Sequence, residues 1–290
     1  MARRLTGKVA LVTGASRGAG RGIARVLGQE GATVYVTGRT TRAGAAGDKP
    51  GTIEGTAEEV RAAGGVGIAV QCDHTDDEQV EALFRRLEGA QAGRLDLLVN
   101  NVWGGYEDYG SDEAFDAPFW AQPLWRWDRM FDAGVRAHYT ASRLAAPLMM
   151  ARREGLMVNT TFWDRGKALG SLPYDLAKTA INRLAYLLAL ELRPYGVAAV
   201  ALSPGWMRTE AVLAAYDTDE AGWQAVPDLA TTESTAYIGR AVAALAADPG
   251  VLAKSGQVLR VGDLAREYGF TDVDGRQPPA FEMPAEHLRD

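Results

Sequence analysis

Residues Thr13-Gly-Ala-Ser-Arg-Gly-Ala-Gly20 follow directly on the apolar run Val9-Ala-Leu-Val12 and lead into a segment with Ile23, Val26 and Leu27 at helical spacing. A second β-rich run, Ala32-Thr-Val-Tyr-Val36, comes next. A strand, a glycine-rich turn and a helix in that order form a dinucleotide-binding unit. A pyrophosphate approaching the turn needs backbone N–H groups at contact distance, which a Cβ would block. Gly14 permits the tight turn, while Gly18 and Gly20 let the backbone approach both cofactor and strand. Ser16 and Arg17 lie inside the same loop.

The rest of the chain agrees with this start. Short apolar runs alternate with helical patterns, the signature of a parallel sheet covered on both faces. Strands are predicted near 8–13, 33–37, 67–71, 95–100, 156–161, 197–202 and 257–260, giving an α/β, Rossmann-type, doubly wound, seven-stranded parallel sheet in a single domain over 1–290. The capping box Thr56-Ala-Glu-Glu59 is expected to start the second helix, and Asp76 or Thr75 to cap a third running through Leu87. Pro147 should kink or break the helical pattern from Val135 to Met150. Residues Tyr174 to Leu192 carry apolar side chains around the whole axis, so that helix should be buried on two sides, by the sheet and by a partner subunit or this chain's own tail. The tail from Asp263 contains prolines and is expected to wrap rather than pack.

Composition narrows the function. The chain has 290 residues, 47% hydrophobic, enough for a full core. A net charge of −6 gives no basic footprint, so neither nucleic acid nor an anionic membrane surface is an expected partner. The single cysteine, Cys72, rules out an intramolecular disulfide framework and suits a reducing, cytoplasmic location. Three well-separated histidines and no cysteine pairs leave no expected metal site.

Far downstream, Tyr174-Asp-Leu-Ala-Lys178 opens a helical pattern. A free phenol titrates near 10, and bringing it close to neutrality requires ~4 kcal/mol of preference for the phenolate. Lys178, one turn away on the same face, supplies a positive charge for that purpose. The pair is a candidate proton donor.

Taken together, Thr13-Gly-x-x-x-Gly-x-Gly20, Asp73, Asn100-Asn101, Tyr174-x-x-x-Lys178 and Pro204-Gly205-x-x-x-Thr209 resemble the short-chain dehydrogenase/reductase family, in the family's order, over roughly residues 5–262. The tail, with Ser255-Gly-Gln-Val-Leu, Asp263-Leu-Ala-Arg-Glu-Tyr-Gly and Asp272-Val-Asp-Gly275, is most similar to the branch typified by dehydrogenase/reductase family member one. The resemblance implies that Tyr174 is the acid/base, that Lys178 supports it and bonds the ribose, that Asp73 caps the adenine and that Asn100 borders the central crevice. It also implies that Thr209, after the Pro204-Gly205 turn, lies near the carboxamide, with a substrate loop over about 206–231 and a C-terminal extension over about 263–290.

Two departures stand out. The family's serine, which holds the substrate oxygen beside the tyrosine, is missing from Val158-Asn-Thr-Thr-Phe162. Counting back from Tyr174 selects Thr161 in its place, whereas counting along the strand selects Phe162, which cannot hydrogen-bond. The asparagine that many members use to position a relay water is replaced by Gly134, which either opens room or frees a backbone carbonyl for the water. His138, one turn on, reads as structural.

The preference between cofactors is legible after the second strand, where an acid would repel a 2′-phosphate. Thr37-Gly38-Arg39 offers a cation instead, and Arg17 adds another, so NADP(H) is expected over NAD(H). The alternative is that both arginines are solvated surface charges. Trp103, Tyr106, Tyr109, Phe162, Trp163, Trp206, Tyr216 and Trp223 fall in loops at the carboxyl ends of strands and point to a bulky, apolar small-molecule carbonyl/alcohol substrate, unless they serve packing. The segment from Asp112 to Trp127 reads as buried packing or subunit contact. The expected protein is an NADP(H)-dependent carbonyl reductase, a homodimer or homotetramer. The competing reading is a weakened NADP(H)-binding or sensing protein.

Overall fold

The computed structural model describes residues 3–44, 51–106, 115, 117–163, 165–168 and 170–283. Tyr109 lies outside them. Seven strands, β1 (Val9–Val12), β2 (Thr33–Gly38), β3 (Val66–Gln71), β4 (Leu97–Asn100), β5 (Gly155–Thr160), β6 (Val197–Ser203) and β9 (Val258–Arg260), form one parallel sheet in the order β3-β2-β1-β4-β5-β6-β9. The sequence places all seven to within two residues. It does not reveal a two-stranded parallel pair, β7 (Met207–Arg208) with β8 (Glu233–Ser234).

Strand alternation builds two cores. Ala10 and Val12, Val34 and Val36, and Leu97 and Val99 face one side. There they meet α1 (Gly18–Gln29), α2 (Ile53–Ala62), α8 (Thr235–Ala247) and α9 (Val261–Tyr268). Leu11, Tyr35, Leu98 and Met157 face the other, against α3 (Asp77–Ala90), α5 (Ala137–Arg152) and the end of α6 (Leu172–Leu192). A residue's partner layer thus follows from its parity along the strand.

Local signals were met unevenly. Asp76 caps α3, its Oδ1 accepting from the backbone N–H groups of Glu78 and Gln79. The cap of α2 is Thr52, not the Thr56 box: Thr52 Oγ1 accepts from Gly55 N at 3.1 Å, so the helix begins a turn earlier and Thr56 is buried inside it. Pro147 lies within α5 without ending it. The departure from α geometry falls instead at Met130–Arg136, a π-helical turn between α4 (Leu124–Arg129) and α5. On α6, Tyr174, Ala177, Lys178, Ile181, Ala185 and Ala189 are buried, whereas Leu172, Leu176, Tyr186, Leu187 and Leu190 stay exposed. The tail therefore does not cover the outer face of that helix. It packs elsewhere: the Asp272 carboxylate accepts from Ser234, Tyr237 donates to the Pro278 carbonyl at 3.0 Å, and a Cβ on Gly262 would collide with Ala280.

Candidate active site

The order β2-β1-β4 makes β1/β4 the point where the winding reverses, and crevices open at such points on the carboxyl side. Val12 pairs with Val36 on one side and Val99 on the other, setting the glycine turn beside the end of β4. Asn101 holds the two together. Its backbone N–H donates to Thr13 Oγ1 at 2.9 Å, and its side-chain amide donates to the carbonyls of Thr13 and Gly14 at 3.0 and 3.1 Å. Asn100, expected at the crevice, is fully buried and donates to Ser142 Oγ and Asn159 Oδ1, both at 2.9 Å. This is a correction of side-chain placement: successive residues at a strand end face opposite sides, and Asn101 takes the crevice side.

Gly14 adopts φ +63°, and a Cβ there would lie 2.8 Å from Val102 Cα. Only glycine fits. Helix α1 starts without a side-chain cap and without an acid of its own in its first turn. Its Gly18 N–H donates to Glu210 Oε2 at 2.8 Å, and Arg21 Nη1 donates to Oε1 of the same carboxylate at 3.1 Å. An anionic oxygen thus already sits where helix N–H groups and a guanidinium converge. This anion seat, with the cradle a Cβ at Gly14 would fill, fits a dinucleotide pyrophosphate. Thr209 caps α7 (Glu210–Ala215), and its methyl would lie 3.7 Å from a Cβ on Gly18. The 206–231 segment is therefore anchored to the glycine turn through Thr209 and Glu210. Ser16 is buried in that turn.

Arg17 Nη2 donates to Thr40 Oγ1 at 3.1 Å and to the Gly51 carbonyl at 3.3 Å. Burial, and then the nearby Arg39 charge, lower its pKa, while Glu210 opposes them. Arg39 is 58% exposed along its side chain and lies 4.0 Å from Asp73 Oδ2. Asp73 Oδ1 accepts from Thr75 N and Oγ1.

Tyr174 and Lys178 come together as their spacing predicts, both buried at the start of α6. Lys178 Nζ lies 5.5 Å from the Tyr174 ring centroid and 3.5 Å from that of Trp103. Trp103 meets Tyr174 edge-on at 5.6 Å, and its indole N–H is buried with no partner among the described residues. The electrostatics differ from expectation. Burial pushes the Tyr174 phenol well above its ordinary value, with Tyr106 and Asp175 adding to the effect, and burial brings Lys178 down to about 7. In this state desolvation outweighs the lysine's charge at the phenol.

The Thr161 hydroxyl is buried and donates to the Lys178 carbonyl at 3.3 Å, toward the backbone of α6. The Phe162 ring lies 6.4 Å from that of Tyr174 and in turn meets Phe281 of the tail at 4.7 Å. Gly134 opens room: a Cβ there would lie 2.5 Å from Trp103 Cζ3. His138 is structural, buried with its pKa lowered by burial to about 3, and its Nε2 lies 3.1 Å from the Val102 carbonyl.

The aromatic residues divide. Trp103, Tyr106 and Phe162 surround Tyr174 together with Phe115, from the segment expected to be packing. In that segment, expected to serve buried packing or subunit contact, Phe119, Trp120 and Leu124 are exposed. Trp163 borders the site through its N–H to Ser203 Oγ at 2.9 Å. Trp206 and Tyr216 pair at 6.1 Å, while Trp223 is buried between Arg208 and Arg276. Sequence reasoning named Asn101 only as part of the Asn100-Asn101 pair and missed Glu210, Phe281 and Glu233. Glu233, on β8, is buried and accepts from the Gly205 N–H of the Pro204-Gly205 turn, and burial pushes its carboxyl up to about 8. No motif flags Glu210, Phe281 or Glu233.

A doubly wound parallel sheet with a glycine turn at its switch point is the architecture of a Rossmann fold. Within that class residues 8–220 match the short chain dehydrogenase family, and the chain belongs to that family, the short-chain dehydrogenases/reductases. Over 281 residues it is 40% identical to dehydrogenase/reductase SDR family member 1 of Mus musculus, covering 95% of this chain and 86% of the relative, in line with the resemblance of the tail. Among solved structures, a short chain dehydrogenase from Mycobacterium thermoresistibile superposes with TM-score 0.79 at 26% identity, covering 95% and 94% of the two chains. A variant of actinorhodin polyketide ketoreductase with NADPH gives 0.72 at 25%, covering 90% and 97%. No described helix is long and apolar enough to cross a membrane.

Proposed function

We propose that this protein is an NADP(H)-dependent oxidoreductase that reduces a bulky, apolar ketone, quinone or aldehyde to the alcohol. The observation that carries the reading is the buried Tyr174 with Lys178 one turn away, at the carboxyl edge of the sheet and ringed by Trp103, Tyr106, Phe115 and Phe162. When bound, the nicotinamide supplies a hydride. Tyr174 holds the proton for the substrate oxygen, and its raised pKa keeps it protonated at neutral pH, the form reduction requires. Lys178 provides the charge that favours phenolate as the proton leaves. Gly14, Ser16, Gly18 and Gly20 cradle the pyrophosphate in exchange for Glu210, Arg17 and Arg39 take the 2′-phosphate, and Asp73 faces the adenine. Pro204, Gly205 and Thr209 line the carboxamide side. Asn100 contributes through the sheet beneath.

The NADPH-bound ketoreductase relative supports the cofactor choice. The exposed apolar face of α6 supports a homodimer or homotetramer, and the single buried cysteine suits the cytoplasm. A second reading, an NADP(H)-binding or sensing protein with weak turnover, draws on the Thr161 hydroxyl being turned to the Lys178 carbonyl. In the first reading Thr161 rotates to hold the substrate oxygen.

A panel of ketones, quinones and aldehydes, followed by NADPH absorbance, decides between them. Reduction of at least one member is expected, falling about 10²–10⁴-fold in Tyr174→Phe with NADPH affinity retained. Tight NADPH binding with no turnover on any member would favour the second reading.

A further inference from the structure

Trp103 is pinned from both sides. The Val102 N–H donates to Thr13 Oγ1 at 3.1 Å, and the Val102 carbonyl faces His138 Nε2 at 3.1 Å. This carries the indole into the wedge between the π-helical turn and the start of α6. On one side a Cβ at Gly134 would lie 2.5 Å from Cζ3 and 2.8 Å from Cε3, so no side chain at position 134 is compatible with the ring. On the other side the ring face receives the Lys178 ammonium at 3.5 Å, well inside the ~6 Å reach of a cation–π contact. No carboxylate pairs with Lys178 among the described residues.

We propose that Trp103 is a positioning residue whose ring face seats the Lys178 ammonium beside Tyr174, and that Gly134 is the complementary vacancy which admits the ring. The inference rests on the acid/base reading of Tyr174 and Lys178. It gives the departure at Gly134 a physical reason: the space is spent on an indole.

The seat matters because burial alone brings Lys178 down to about 7, so its charge is only marginally held near neutrality. The titratable groups around it are Tyr174 on its own helix, Tyr106 beside Tyr174, and His138 on α5. His138 titrates near 3, the Tyr174 phenol is raised, and Asp175 acts on Tyr174. None of these supplies a negative charge to the ammonium. The π face does, and a desolvated cation–π contact changes the protonation balance by about tenfold, or about one pH unit.

The test is a carbon-13 NMR titration of lysine Cε in the full chain without cofactor, with Lys178 assigned by its loss in Lys178→Arg. Trp103→Leu is expected to lower the Lys178 midpoint by about one pH unit, and Trp103→Phe, which keeps a π face, by less than half as much. Gly134→Ala, which forces the indole off the ammonium, should reproduce the Trp103→Leu shift, and the double variant should add nothing to it. A Lys178 midpoint unchanged or raised in Trp103→Leu overturns the proposal. If Gly134→Ala does not fold, the Leu and Phe variants decide alone. In the active enzyme the alkaline limb of kcat/KM should move down with Trp103→Leu. A protein that reduces nothing on the carbonyl panel fails the functional reading while leaving the titration to judge the seat.

Discussion

The cofactor half and the substrate half of this molecule are held together by different means. Around β1, α1 and β4 the contacts end on backbone: the Asn101 side-chain amide on the Thr13 and Gly14 carbonyls, the Thr13 N–H on the Val99 carbonyl, and the left-handed Gly14 against Val102. Around Tyr174 the contacts are between rings from distant parts of the chain, Trp103, Phe115, Phe162 and Phe281. A backbone lattice tolerates almost no change, and a cluster of rings can repack. The cofactor half should therefore fail abruptly on substitution, the substrate half by degrees.

The sharpest break in that contrast is Gly14→Ala. A left-handed φ costs an L-residue about 1–2 kcal/mol, and here the added methyl also meets backbone. NADPH affinity should fall at least about 100-fold in a fluorescence titration, and an affinity within about threefold of wild type would remove the rigidity from one side of the comparison. Next comes Arg39→Asp, which exchanges the cation that follows β2 for an acid. The ratio of NADPH to NADH affinity should fall by about 10–100-fold, and an unchanged ratio would refute the 2′-phosphate assignment.

Glu233 sharpens the comparison at the seam between the halves. Its carboxyl is raised to about 8 in the fold, so between about pH 4.5 and 8 the folded protein keeps a proton that the unfolded chain has released. That contribution to stability is complete below the unfolded pKa and is lost as pH rises toward 8, by at most about 1.4 kcal/mol per pH unit. Glu233→Gln should flatten this slope in urea unfolding series from pH 5 to 8, and parallel wild-type and variant series would show that the carboxyl titrates normally. The smallest effect is expected from Glu210→Gln: with the competing charge gone, NADPH should bind about threefold tighter, and weaker binding would mean that the carboxylate serves the site rather than contests it.

What was legible in the sequence follows the same division. The seven strands, the Asp76 cap, the glycine turn and the Tyr174–Lys178 spacing are short-range patterns, and each is set by backbone geometry within one or two turns of chain. Thr56 misled because Thr52, four residues earlier, offers the same hydroxyl at a position with extended backbone. Gly134 could be read as opening room, but what fills it comes from Trp103, thirty-one residues away. Phe281 reaches Phe162 only because Gly262 and Pro278 fix the path of the tail. Asn100 and Asn101 look equivalent until the pleat assigns each a side. Such contacts carry no periodicity, so composition and spacing do not register them.

The Glu210 carboxylate on the first N–H of α1 has a consequence for timing. Under the proposed function a single helix end has two successive tenants, a side chain from the 206–231 segment and then a phosphate. Arrival of the second evicts the first, and with it loosens the link that ties Thr209 and Glu210 to the glycine turn. Under that reading the freedom of the segment follows the state of the helix end, which the carboxylate holds through the 2.8 Å bond from Gly18 and the 3.1 Å bond from Arg21.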